Sequence, residues 1–98
     1  MEAHSMTRLT EEDVLLAVKQ AAAPRSGYIG DVIQRRHAFA ARGGAIAGHP
    51  PTRAIILRRL RSLEKSGLLK CIGGPDGMYG FEWSITKAGH MVISEMTS

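Results

Sequence analysis

The chain has 98 residues, room for one domain with a single small core and no need of disulfide or metal staples. Hydrophobic and charged residues stand at 44% and 22%, globular proportions that argue against a disordered chain, while aromatics at 5% leave the core to aliphatic side chains. The formal net charge is +4 and nine of the thirteen basic residues are arginine; Arg53, Arg58, Arg59 and Arg61 fall within nine positions, which points to an anionic partner.

Cys71 is the only cysteine, so no intramolecular disulfide can form, in keeping with a reducing, cytoplasmic home. Residues 1–8 are expected to be a disordered tail without the apolar run of a signal sequence. No stretch has the length of a membrane span, and residues 9–98 are expected to form the domain.

Thr10-Glu11-Glu12-Asp13 opens a first helix: the threonine can cap it, Asp13 occupies the reciprocal position of a capping box, and the acids suit the positive end of the helix dipole. Val14, Leu15, Val18, Ala21 and Ala22 recur at helical spacing to about residue 22. Pro24 and Gly27 then interrupt the pattern, and Ser26-Gly27-Tyr28 reads as a minimal strand. A second helix is predicted from about Ile29 to Ala41. Ile29, Val32, Ile33 and Phe39 lie near its inner face, Asp31, Gln34, Arg35 and Arg42 outside, and Gly43-Gly44 ends it. Residues 45–49 read as loop.

The third helix starts near Pro51 or Thr52, where proline's missing N–H is harmless. On a wheel of about 100° per residue, Ile56, Leu60 and Leu63 form a narrow core stripe. Ala54, Arg58, Arg61 and Lys65 lie opposite, Ile55 and Arg59 flank one edge, and Arg53 and Leu57 the other; Gly67 is the stop. Leu68 to Ile72 suits a strand, Gly73 to Gly77 a turn, and Phe81, Trp83 and Ile85 alternate with Glu82, Ser84 and Thr86 as in a half-buried strand. Thr86 can cap a last helix over about Lys87 to Met96, with Met91, Val92 and Met96 facing inward.

Leu60-x-x-Leu63-Glu64-Lys65-x-Gly67-Leu68-Leu69, a glycine-rich hairpin, then Trp83-x-Ile85-Thr86-x-x-Gly89 resembles the winged-helix repressors of bacteria, notably the MarR- and PadR-like groups. The likeness covers residues 50–93, and residues 10–42 by element order. It implies an α+β, mainly α fold: a winged helix-turn-helix with a three-helix core, a β-hairpin wing and a C-terminal helix. It also implies that the third helix enters the major groove of double-stranded DNA, with Thr52, Arg53, Ala54, Ile55, Arg58 and Arg61 where that helix meets DNA. The wheel independently turns Ala54, Arg58, Arg61 and Lys65 outward. Two departures stand out. The wing tip Gly73 to Gly80 carries Asp76 and no lysine or arginine, and the connection from Arg42 to Pro51 is longer than a standard helix-turn-helix turn.

Each candidate has a plainer alternative. Arg58, Arg61 and Lys65 form either a phosphate- and guanine-reading stripe or a solvated helix face. Ala54 either leaves room for a thymine methyl or simply favours helix. Thr52 is a cap before it is a contact, Arg53 is either a contact or plain surface, and Arg35, Arg36 and Arg42 read as solvated. Trp83 belongs to the core, and Tyr79 to hairpin packing. His4, His37, His49, His90 and Cys71 lack zinc-motif spacing, so no metal or other cofactor is expected, and nothing pairs a nucleophile with a base.

The expectation is a non-enzymatic, homodimeric DNA-binding regulator, a repressor by resemblance. The alternative is a winged-helix protein-interaction module, a subunit of a replication, transcription or phage-type assembly.

Overall fold

The computed structural model describes residues 9–44, 50–76 and 80–97. The expected tail over residues 1–8, the loop over residues 45–49, and Met78 and Tyr79 at the hairpin tip lie outside them. The domain is α+β and mainly helical: α1 (Glu11–Gln20), α2 (Ser26–Arg42), α3 (Arg53–Lys65), the antiparallel hairpin β1 (Leu69–Asp76) and β2 (Gly80–Ile85), then α4 (Lys87–Thr97). No helix among the described residues is long and apolar enough to cross a membrane.

Side-chain caps set the starts of α1, α3 and α4. The Thr10 hydroxyl accepts from Asp13 N at 3.1 Å and the Asp13 carboxylate accepts from Thr10 N at 3.5 Å, so both halves of the capping box form. Thr52 caps α3 by accepting from Ile55 N at 3.2 Å. Thr86 caps α4 by accepting from Gly89 N at 3.1 Å, while its own hydroxyl donates to Gly67 O at 2.6 Å. At the end of α3, Gly67 takes a φ of +84°. Leu68 N bonds back to Leu63 O and Gly67 N to Glu64 O, the paired closure that a left-handed residue makes possible.

The core draws on every element: Val14, Leu15, Ala17 and Val18 of α1, Ile29 and Ile33 of α2, Ile56, Leu60 and Leu63 of α3, then Leu69, Trp83 and Ile93. Trp83 is fully buried, and its indole N–H donates to Ser26 Oγ at 3.0 Å, so the largest side chain of the core has its polar atom satisfied. A hydrogen bond from Ser62 Oγ to Glu11 ties α3 to α1. Gln34 donates to Pro51 O at 3.1 Å and fixes the entry of α3 beside α2.

Several expectations shift. The minimal strand over Ser26-Gly27-Tyr28 is absent: those residues open α2, and the strand is reduced to a single bridge between Arg25 and Glu82. Ala22 is exposed because α1 stops at Gln20. Phe39 does not face the core but is 76% exposed, since the inner line of α2 runs through Ile29, Ile33 and His37, and Phe39 lies about 200° around the helix from His37. Met91 is 59% exposed and Met96 is also exposed, with Ile93 buried instead. Gly89 sets that phase: a Cβ there would lie 2.3 Å from Leu68 O, so the helix seats on its glycine and turns Met91 to solvent.

The glycine-rich segment is also more than a turn. After the regular pairs Leu69↔Ile85, Lys70↔Ser84 and Cys71↔Trp83, β1 continues through two register shifts to Gly73↔Glu82 and Asp76↔Gly80. Gly74 permits this because the Phe81 ring occupies the space a Cβ would need, 2.2 Å from its ideal position.

Candidate nucleic-acid interface

α3 divides its residues as an amphipathic helix must. Ile56, Leu60 and Leu63 are buried, while Ala54, Arg58, Arg61 and Lys65 are exposed along the opposite side. Of the edge positions, Leu57 is half-buried against the core and Ile55 is 39% exposed. Arg59 is half-buried, and its Nε is enclosed without a hydrogen-bond partner among the described residues.

The predicted site residues differ in what holds them. Thr52 spends its hydroxyl on the cap, so its oxygen is committed to Ile55 N. Arg53 reaches back to α2, its Nη2 3.5 Å from Asp31 Oδ1, with both side chains more than half exposed. Arg61 donates from Nη1 to Glu64 Oε1 at 3.0 Å, and its guanidinium carbon lies 4.5 Å from the Phe81 ring centroid and 5.3 Å from that of Trp83. Among the described residues, no ion pair engages Arg58 or Lys65. These two, one turn before and after Arg61, are the cations that the α3 face offers to solvent without competition. Exposed pairs such as Arg53–Asp31 are weak in water and yield to a stronger anion.

A longer-range charge pattern along the sequence includes α3. From Val32 to Leu63 the chain has no aspartate or glutamate but seven arginines: Arg35, Arg36, Arg42, Arg53, Arg58, Arg59 and Arg61. Asp31 and Glu64, the acids bounding that run, are the partners of Arg53 and Arg61. Counting acids as well as bases along the sequence reveals this segregation; counting arginines on one helix misses it. Arg35 and Arg42 are exposed on α2, which extends the basic character beyond α3.

The hairpin contributes little charge. Lys70 on β1 is exposed, whereas Glu82 is paired with Arg25 at 3.2 Å, and Arg25 Nη1 also donates to Gly80 O at 3.5 Å. Trp83 N donates to Pro24 O at 2.7 Å, so the outer edge of β2 is covered by the segment leading into α2. Among the described residues no cluster of histidine, cysteine, aspartate and glutamate is placed to hold a metal ion. No protein-family model, curated protein or solved structure matches the chain.

Proposed function

We propose that the domain is a winged helix-turn-helix of the kind found in MarR- and PadR-like bacterial regulators, and that it binds double-stranded DNA with α3 in the major groove. The observation that carries the reading is the pair of opposed stripes on α3: Ile56, Leu60 and Leu63 inward, Ala54, Arg58, Arg61 and Lys65 outward. A helix anchored by one face and basic on the other suits a groove lined with phosphate and guanine edges. The acid-free run from Val32 to Leu63, with its seven arginines, adds to the positive field that draws a polyanion. In this reading the protein is a cytoplasmic transcriptional repressor acting as a homodimer, without a cofactor.

The test is a titration of labelled duplex DNA at several salt concentrations. Affinity should fall as salt rises, with a log–log slope of about 0.9 for each phosphate neutralised. A folded protein that shows no binding at low salt overturns the reading. The second reading, a protein-docking module that leaves DNA alone, draws on Ile55, exposed beside the arginine stripe, and on the sparse charge of the hairpin. A folded chain that leaves duplex DNA unbound at low salt would favour it.

A further inference from the structure

Arg61 lies on the outward stripe of α3, yet its guanidinium is already occupied. Glu64 accepts from it at 3.0 Å, and the rings of Phe81 and Trp83 lie 4.5 and 5.3 Å from its central carbon. Through these contacts one side chain joins the proposed reading helix to β2. We propose that Arg61 is a latch between α3 and the hairpin, closed on Glu64, Phe81 and Trp83 in the free protein and opened by the phosphates of a bound duplex. The latch rests on the duplex-binding reading above.

The competition favours phosphate. Glu64 offers the arginine fork a pair of anionic oxygens, the same chemistry that a phosphate offers, so the free protein holds an internal substitute for its ligand. That pair is three residues apart on a helix surface, with the arginine side chain 44% exposed, a setting in which ion pairs are weak. The guanidinium over the rings belongs to a side chain still partly open to water, which keeps that contact modest. An arginine–phosphate contact is charge-assisted and releases counterions. Arg58 and Lys65, one turn to either side and without ion pairs among the described residues, bring phosphates beside Arg61. The indole itself has no reason to move, because Ser26 and the core hold it. Departure of the cation therefore changes the surroundings of a fixed ring, and Trp83 is the only tryptophan in the chain.

The experiment titrates a fluorescein-labelled duplex of random sequence into the full chain, reading anisotropy for binding and tryptophan emission for the latch. Wild type should bind with a shift in Trp83 emission. Arg61→Gln, with its folding checked by thermal unfolding, should show the shifted emission before any DNA is added and no further shift afterwards. It should bind several-fold more weakly, with a salt slope lower by about 0.9. Glu64→Gln should tighten binding several-fold, and that gain should shrink in the Arg61→Gln background because Glu64 acts through Arg61. Equal gains in both backgrounds would mean plain charge repulsion and overturn the latch. Wild-type binding with Trp83 emission unmoved overturns the latch and leaves the duplex reading standing, whereas no anisotropy rise at low salt overturns both.

Discussion

Trp83 and Ser26, 57 residues apart in the chain, meet through a 3.0 Å hydrogen bond from the indole N–H to the serine hydroxyl. The same hydroxyl lies 3.4 Å from Phe81 O, so the first residue of α2 anchors two positions of β2. Because the indole is fully buried, it cannot turn to water if the serine is lost. Ser26→Ala should cost about 1–3 kcal/mol, the penalty of an orphaned buried donor. Urea unfolding measures it, and a loss below about 0.5 kcal/mol, the range of ordinary surface changes, would show that the ring is held by packing alone.

Two glycines should resist alanine for different reasons. At Gly67 the space is open but φ is +84°, so Gly67→Ala should cost about 1–2 kcal/mol through backbone strain, and Gly67→Asn should cost less because asparagine tolerates that region. At Gly89 the backbone is helical, yet a Cβ would meet Leu68 O at 2.3 Å. Gly89→Ala should therefore destabilise by about 1–3 kcal/mol despite alanine's better helix propensity, with no relief from asparagine. Comparing thermal midpoints of the alanine and asparagine variants at both sites separates strain from collision.

Thr52 is a cap in the structure, and a variant can show whether it is anything more. Thr52→Ala should lower stability by about 1 kcal/mol while leaving the salt slope of duplex binding unchanged. A fall in the slope would put the hydroxyl, or the helix end it orders, against a phosphate.

Arg58 and Lys65 should behave in the opposite way. Arg58→Ala and Lys65→Ala are expected to change stability by less than about 0.5 kcal/mol, since neither side chain is buried or in an ion pair among the described residues. Each should reduce the salt slope by about 1 if it meets a phosphate, and Arg58→Ala should cost about 1–3 kcal/mol of affinity if it reads a base. Normal affinity and slope in both variants would remove α3 as the contact surface.

What the sequence revealed was chemistry that acts within a turn or two of the chain. Thr10 with Asp13, Thr52 and Thr86 mark their helices because a cap needs only its own next residues. Ile56, Leu60 and Leu63 declare the inner face of α3 because three leucine- or isoleucine-sized groups at helical spacing admit one phase. Several of the failures share one physical cause. Phe39 and Met91 lie on helices whose rotation is fixed by neighbours, α2 along Ile29, Ile33 and His37, α4 by the close seat of Gly89 on Leu68. The strand path from Gly73 to Asp76 depends on the Phe81 ring filling the space over Gly74. Arg61 was legible as outward, but its engagement by Phe81 and Trp83 depends on where β2 docks, a relationship no local pattern encodes.

The clasp between the start of α2 and β2 bears on how the chain reaches this structure. Trp83 N–H closes on the Pro24 carbonyl at 2.7 Å while Arg25 pairs with Glu82, so the first two helices complete their packing only with a segment nearly sixty residues downstream. Closing so large a loop precedes the reward of burying the indole. A ribosome-bound chain that has released three helices still lacks Trp83 and has an unfinished interior. Folding should accordingly be late and all-or-none, with the hairpin acting as the final keystone, not as an appendage to a finished helical bundle.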